Sequence, residues 1–133
     1  MRYFTVTTAA IALLLPITAA FAGARANGDA ARDSWKEAKP VGEARSCVPL
    51  TQIRETRVRD NQTIDFRLNN NTVLRNTLPY SCPQLGFEKR FSYSTSLSQL
   101  CSTDIITVIV GSPPQRGASC GLGKFQPITG KIR

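Results

Sequence analysis

The sequence has no histidine, only one tryptophan and only one methionine among its 133 residues. Histidine is the commonest general base, the usual pH switch near neutrality and the commonest metal ligand, so its absence removes the usual route to each role. The chain also lacks a nucleophile elbow and a phosphate-binding glycine loop, the motifs that would position an activated hydroxyl or a nucleotide. These absences predict a protein that is not an enzyme and that requires no metal or cofactor.

The chain also lacks an apolar stretch long enough to cross a membrane. The longest one, residues 9–21, has about 13 residues against the roughly 20 that a spanning helix needs. It follows one cation, Arg2, and ends with small residues at Ala20 and Ala22, which is the order of a cleavable secretory signal. We therefore expect a signal peptide over residues 1–22, cleaved after Ala22, rather than a retained anchor. The mature protein is then periplasmic or secreted, with no membrane span.

The cysteines are few, and export makes them informative. They are Cys47, Cys82, Cys101 and Cys120, and disulfides persist in exported compartments. Their spacings lack the close Cys-x-x-Cys pairs of a zinc site, so two bridges are the expectation. Three pairings are open, and the sequence alone does not choose among them. We favour Cys47 with Cys120, tying the first strand to the last, and Cys82 with Cys101.

Acidic residues are outnumbered by basic ones. Without the signal peptide, 111 residues carry 16 Lys and Arg against 9 Asp and Glu, a net charge of +7. Such a surface attracts polyanions, and export makes intracellular nucleic acid the least expected of them. Arg57, Arg67 and Arg75 fall on predicted strands and would form a polyanion-binding stripe if they shared a sheet face. The alternative, which we favour, is a cationic surface that only faces solvent.

Carboxylate pairs are the remaining route to catalysis, since two of them across a cleft can hydrolyse a glycosidic bond. The available side chains are Glu55, Asp65, Glu88 and Asp104. The first three stand beside cations on predicted strands, a pattern more typical of surface ion pairs. Asp104 precedes an apolar run and is expected to cap a turn through backbone N–H groups. A carbohydrate hydrolase is therefore the least favoured of the functions considered.

Composition divides the mature chain into three parts. Residues 23–46 are rich in Ala, Gly and charge and too poor in apolar side chains to order themselves, which predicts a flexible leader. A short helix over residues 29–39 is the local structure expected there, and docking of Trp35 on the domain is the alternative. Residues 47–128 form the predicted β domain, and residues 129–133 a basic tail.

The first half of the domain predicts three consecutive strands. Residues 64–68 alternate apolar and charged side chains, the period-two pattern of a half-buried strand. In residues 51–59, Ile53 and Val58 have opposite parity, so a bulge is needed between them. Together with a strand over residues 73–78, these segments predict a three-stranded meander.

The second half predicts further strands with less regular spacing. Residues 87–93 alternate like a strand, and residues 94–101 are typical of a loop or one helical turn. Residues 105–110 are apolar on both parities, which indicates a strand covered on both faces at the centre of the core. An exposed loop over residues 111–117 and a last strand over residues 120–128 complete the chain. Five or six short antiparallel strands with two disulfides predict an all-β fold, a small barrel or sandwich.

Short motifs surround the four cysteines. They are Cys47, the Val58-Arg59-Asp60 step, Asn76 with Leu78, Cys82-Pro83-Gln84-Leu85, the run from Leu100 to Ile105 and the run from Cys120 to Phe125. Together they resemble a family of small exported Gram-negative proteins of unknown function, over residues 47–128. The resemblance implies a periplasmic β domain and transfers no known activity or site residues. Many of those relatives carry a lipobox, which this chain lacks.

These features predict an exported, non-enzymatic binding or envelope-associated module. Its partner would be an anionic envelope component or another envelope protein. Polyanion binding through the strand arginines is the alternative.

Overall fold

Nine short strands form the framework of the part of the chain that the structure describes. The computed structural model describes residues 34–130, so the predicted signal peptide, residues 23–33 of the predicted leader and the last three residues of the predicted tail lie outside it. The strands are β1 (Cys47–Pro49), β2 (Ile53–Val58), β3 (Thr63–Leu68), β4 (Val73–Thr77), β5 (Phe91–Tyr93), β6 (Gln99–Cys101), β7 (Ile105–Val110), β8 (Gln115–Gly121) and β9 (Phe125–Ile128). One helical turn, α1 (Leu85–Glu88), and two 3₁₀ turns, Ser34–Glu37 and Leu50–Gln52, complete the elements.

The strands form three antiparallel sheets. Four strands pair in the order β2-β3-β4-β9, three in the order β5-β7-β8, and β1 pairs with β6. The predicted all-β antiparallel fold with two disulfides is confirmed, and it is sandwich-like rather than a closed barrel. The strand count of nine exceeds the expected five or six because β1 and β6 form an additional pair and because the predicted last strand, residues 120–128, is divided between the end of β8 and β9.

The four-stranded sheet follows the predicted meander. β2, β3 and β4 pair in chain order, and the register of β2 shifts between Ile53 and Glu55, which places a bulge in the predicted segment. The alternation of β3 turns Ile64, Phe66 and Leu68 into the core, where all three are buried.

The main core lies between the four-stranded and three-stranded sheets. Phe66 of β3 meets Phe125 of β9 edge to face, with ring centroids 5.3 Å apart. Ile106 and Val108 of β7 belong to the same buried cluster, as does Leu85 of α1. Such aromatic pairs and interlocking aliphatic side chains supply the burial that holds the two layers together.

β7 is central in its sheet but covered on one face only, so the expectation of burial on both faces is wrong. Ile106 and Val108 are fully buried, whereas Ile105 is 58% exposed and Thr107 is half-buried. β5 and β8 flank β7 within the sheet, and the three-stranded sheet turns only one face to the core. In this strand, apolar residues at both odd and even positions therefore do not mean that both faces of the strand are buried.

Three other boundaries differ from the sequence expectations. The predicted strand over residues 87–93 is split, because Gln84 and Lys89 adopt left-handed backbone angles with φ of 66° and 54° and bound the turn of α1. Residues 94–101 include β6, which pairs with β1. The predicted loop over residues 111–117 ends at residue 114, where β8 begins.

The two disulfides join Cys47 to Cys101 and Cys82 to Cys120. The favoured pairing, Cys47 with Cys120 and Cys82 with Cys101, is therefore wrong. Cys47 lies directly opposite Cys101 in the ladder between β1 and β6, a strand pair that the sequence did not predict. All four cysteines are oxidised, and the bridges indicate an oxidising, exported environment.

Residues 34–46 are ordered against the domain, which corrects this part of the predicted flexible leader. The backbone N–H groups of Val41 and Arg45 donate to the carbonyls of Pro127 and Phe125, each at 2.8 Å. The segment therefore runs antiparallel beside β9 and continues the four-stranded sheet. No helix within residues 34–130 is both long and apolar enough to cross a bilayer.

Candidate functional site

The outer face of the four-stranded sheet carries most of its charge. Cross-strand pairing aligns side chains of β2, β3, β4 and β9 in two rows on this face. They are Arg57, Asp65, Arg75 and Gln126 in one row, and Glu55, Arg67, Val73 and Ile128 in the next. Arg57, Arg67 and Arg75 thus share one face, the condition under which they would form a stripe.

Glu55 binds two of these arginines. Arg57 Nη2 donates to Glu55 Oε1 at 3.1 Å, and Arg67 Nη2 donates to Glu55 Oε2. The hydrogen bond from Arg57 is the largest influence that holds the pKa of Glu55 below its ordinary value; partial burial opposes it, and Arg67 adds to the lowering. Arg67 Nε is buried and has no hydrogen-bond partner among residues 34–130. This half of the face is an ion-paired network rather than a row of available cations.

The buried carboxylate of Asp65 binds Arg75 and Arg59. Its side chain is 1% exposed. Arg75 donates to it through Nε at 2.7 Å and Nη2 at 2.9 Å, and Arg59 donates through Nε at 2.8 Å. A buried carboxylate is tolerated only when it is paired and hydrogen-bonded. Two guanidiniums around one carboxylate leave this cluster with a surplus of one positive charge.

Arg75 also fastens the segment before the domain. Its Nη1 donates to the carbonyl oxygen of Trp35 at 2.9 Å, and its guanidinium carbon lies 5.1 Å from the centroid of the Trp35 ring. Planar guanidinium groups stack favourably on aromatic faces. Docking of Trp35 on the domain, the alternative to a mobile leader, is therefore the arrangement observed.

A cavity of about 460 Å³ lies between this segment and the sheet, and we name it the Trp35 cavity. The segment supplies Ser34, Trp35, Glu37 and Ala38; the sheet supplies Arg59, Asp65, Val73, Arg75 and Ile128, and Thr129 and Gly130 close one side. Ala38 packs on Val73 and Ile128, which makes one part of the lining apolar. The other part is the Asp65 cluster, so the cavity pairs apolar surface with fixed polar groups, as small-molecule sites do.

The two arginines of the cavity differ in how many of their donors are used. Arg75 donates through Nε and both Nη atoms, to Asp65 and to Trp35. Among residues 34–130, the guanidinium of Arg59 donates only through Nε, to Asp65. The Arg59 side chain is nevertheless only 12% exposed. Of the two arginines that line the cavity, Arg59 therefore has more N–H donors left for a ligand.

The carboxylates considered for hydrolysis are engaged structurally. The Cys101 N–H donates to Asp104 Oδ2 at 2.6 Å, which confirms the expected role of Asp104 in the turn between β6 and β7. Glu88 accepts from Arg90 Nη2 at 3.2 Å and from the Gly111 N–H at 3.3 Å. Of the four candidates, Asp65 alone lines the cavity among residues 34–130, and both of its oxygens are bound by arginine.

The sequence reasoning missed Trp35, Arg59 and Asp65 as members of one site. Arg59 follows β2, and its N–H donates to the Thr63 carbonyl at 2.9 Å, which brings it beside Asp65 across the hairpin. That proximity could have been inferred from the tight turn between β2 and β3. The position of Trp35 could not, because it depends on pairing with the distant strand β9.

Within residues 34–130, no group of three or more His, Cys, Asp or Glu side chains is placed to hold a metal ion. The site is therefore characterised by its arginines, its tryptophan and its apolar wall. Compared with models of protein families, with curated proteins and with solved structures, the chain matches none.

Proposed function

We propose that this protein is a non-enzymatic binding module of the bacterial envelope, periplasmic or secreted, and that the Trp35 cavity is its binding site. The observation that carries the proposal is the cavity itself, about 460 Å³ in volume, enclosed by a segment hydrogen-bonded along β9. Its volume falls in the range of small-molecule sites, about 300 to 1,000 Å³. Its lining combines apolar side chains with a few fixed polar groups.

The state of Asp65 supports binding rather than catalysis. A general acid or a carboxylate nucleophile needs an oxygen that can reach the substrate. Both oxygens of Asp65 accept hydrogen bonds from guanidinium groups. Such a carboxylate serves to orient Arg59 and Arg75.

The proposed location rests on three features. The two disulfides favour an oxidising compartment, the first 22 residues have the pattern of a cleavable signal, and the cysteine motifs resemble those of exported Gram-negative proteins. Together they support the periplasm or the medium as the site of action.

Trp35 offers a direct test, because it is the only tryptophan in the chain and it lines the cavity. Small-molecule fractions of an envelope extract are titrated into the mature protein while Trp35 emission and Tm are recorded. We expect at least one fraction to change the emission saturably and to raise Tm, because a ligand that binds only the folded state stabilises it.

The matched variants are Ala38→Phe, which adds bulk in the cavity wall, and Ala44→Phe, at an exposed position of the same segment. Ala38→Phe should abolish the response and Ala44→Phe should retain it. The proposal is wrong if no fraction alters Trp35 emission, or if Ala38→Phe responds as fully as the unmodified protein.

Polyanion binding by Arg57, Arg67 and Arg75 is a second candidate, favoured by their common sheet face. Its test is retention on immobilised heparin and on lipopolysaccharide. Replacing all three arginines by Gln should lower the salt concentration of elution more than replacing Arg54, Arg116 and Lys124, exposed residues elsewhere, by Gln. Equal shifts in the two triple variants would show that net charge alone controls retention.

A further inference from the structure

Arg59 is the feature of the Trp35 cavity that points to a class of ligand. Its side chain is 12% exposed, the residue lines the cavity, and among residues 34–130 its guanidinium uses Nε alone for hydrogen bonding. Guanidinium groups present a planar fork that matches the two oxygens of a carboxylate or phosphate. A guanidinium that is partly shielded from water attracts an anion more strongly than a fully solvated guanidinium does.

We propose that the Trp35 cavity binds small molecules that carry one carboxylate or phosphate group on a ring or other flat apolar body. Arg59 holds the anionic group through its terminal nitrogens. This inference rests on the proposed binding function and specifies its ligand.

The charge balance of the cluster supports an anion rather than a neutral ligand. Asp65 is the only carboxylate that Arg59 and Arg75 contact within the described residues, so these three ion-paired groups carry a surplus of one positive charge. Arg75 already donates from all three of its nitrogens. These bonds use three of its five N–H groups, whereas Arg59 uses one, so Arg59 keeps more donors for a ligand in the cavity.

The apolar wall supports a flat hydrophobic body on the same ligand. Trp35 and Ala38 line the cavity and are half-buried, and Ala38 packs on the buried side chains of Val73 and Ile128. An aromatic or alicyclic ring removes this surface from water, which an inorganic anion does not do.

Glu37 also lines the cavity, and it is exposed. Its charge is screened by solvent more strongly than that of the buried cluster. It disfavours a second anionic group on the ligand, which is why the proposal specifies one. Removal of the Glu37 charge should strengthen anion binding, whereas removal of the Arg59 charge should weaken it.

The probes are benzoate and phenyl phosphate, with benzamide as the neutral match of benzoate and inorganic phosphate as the anion without a ring. Titrations into the mature protein follow Trp35 emission, and calorimetry gives Kd. We expect benzoate or phenyl phosphate to bind at least about tenfold more tightly than benzamide and inorganic phosphate, a difference of about 1.4 kcal/mol. The comparison of benzoate with phenyl phosphate identifies the anionic group.

Arg59→Gln should weaken the tighter aromatic anion at least about tenfold, whereas Arg54→Gln, at an exposed arginine of β2, should leave its Kd unchanged. Arg59→Lys keeps the positive charge but loses the planar fork, so it should also weaken binding. It provides the test if the Gln variant fails to fold. Glu37→Gln should tighten it. Circular dichroism and Tm establish that each variant is folded.

The outcomes separate the two proposals. Equal affinity for benzamide and benzoate, or an anion affinity that neither Arg59 variant changes, overturns the anionic ligand and leaves a binding function intact. If no probe binds but an envelope fraction still changes Trp35 emission, the ligand class is wrong and the site is right. If neither probes nor fractions bind, both proposals fail.

Discussion

Asn76 shows how one buried polar side chain substitutes for backbone pairing. It is fully buried; its Nδ2 donates to the Gly123 carbonyl at 2.6 Å, and its Oδ1 accepts from the Gly123 N–H at 2.8 Å. The bend between β8 and β9 thus has both backbone groups of Gly123 satisfied inside the protein. Buried groups left unpaired cost roughly 1–3 kcal/mol each, so the pair stabilises the passage of the chain from one sheet to the other.

Gly123→Ala should destabilise the protein by about 1–3 kcal/mol through overpacking. A Cβ at this position would lie 2.1 Å from the Thr77 carbonyl oxygen, so the backbone of β4 or the bend must move. Gly121→Ala is the matched control, because a Cβ there meets nothing within 4 Å. Urea unfolding of both variants gives the comparison, and equal stability of the two would contradict the close approach.

The lowered pKa of Glu55 should make the stability of the protein depend on pH. Its pKa in the folded protein is lowered, chiefly by the hydrogen bond from Arg57, from an ordinary value of 4.5. A lowered pKa means that Glu55 contributes stability at pH values above 4.5, and that this contribution is lost as pH falls through the lower folded pKa.

Glu55→Gln should therefore reduce the free energy of unfolding at about pH 7 and show a smaller further loss on acidification to about pH 3 than the unmodified protein. Urea midpoints at the two pH values measure this difference. Glu43→Gln, at an exposed position, is the control. Parallel pH profiles for Glu55→Gln and the unmodified protein would rule out the contribution of Glu55.

At the scale of elements, the sequence predicts strand pairs that are close together in the chain and misses pairs that are far apart. The meander of β2, β3 and β4 was expected, because alternation and turn residues are local signals. The pairing of β1 with β6 and of β4 with β9 was not, since neither strand of those pairs specifies its distant partner. The wrong disulfide pairing has the same origin, because Cys47 meets Cys101 only through the β1 to β6 ladder.

In the candidate site, too, one part could be predicted from local sequence patterns and the other part could not. Alternation predicted that Arg57, Arg67 and Arg75 would form a stripe if they shared a face. It did not predict that Asp65 would be buried beneath Arg75 and Arg59, because an alternating strand normally turns its charged side to solvent. That burial depends on Trp35 and its neighbours covering the outer face.

Hydrogen exchange tests whether residues 39–45 are a structural element in solution. The amides of Val41 and Arg45 donate to β9 carbonyls and should exchange much more slowly than unstructured peptide. The amides of Glu43 and Ala44 have no such backbone bond among residues 34–130 and should exchange faster. Exchange of Val41 and Arg45 at the free-peptide rate would return this segment to the predicted mobile leader.

For the whole molecule, the two disulfides link segments that are distant in the sequence. Cys47 to Cys101 crosslinks β1 and β6 of the two-stranded sheet over a separation of 54 residues, and Cys82 to Cys120 joins the loop between β4 and α1 to β8 over 38. In the loop-entropy model, each closure stabilises the folded state by about 4 kcal/mol. That amount is comparable with much of the net stability of a small domain, about 5–15 kcal/mol.

Replacing either cysteine pair by Ser should lower the free energy of unfolding by about 4 kcal/mol, and the two pairs should have similar effects. Peptide mapping of the unreduced protein should recover the fragments of Cys47 with Cys101 and of Cys82 with Cys120. Recovery of Cys47 linked to Cys120 would contradict the topology and restore the favoured sequence pairing.

The pairing of residues 39–45 with β9 also has a consequence for the association state. A fragment beginning at Cys47, the boundary suggested by composition, would leave the outer N–H and C=O groups of β9 without partners. Such an edge is a template for strand addition by a second molecule. Residues 39–45 therefore cover an edge that would otherwise favour aggregation, and a protein shortened to begin at Cys47 should self-associate through β9.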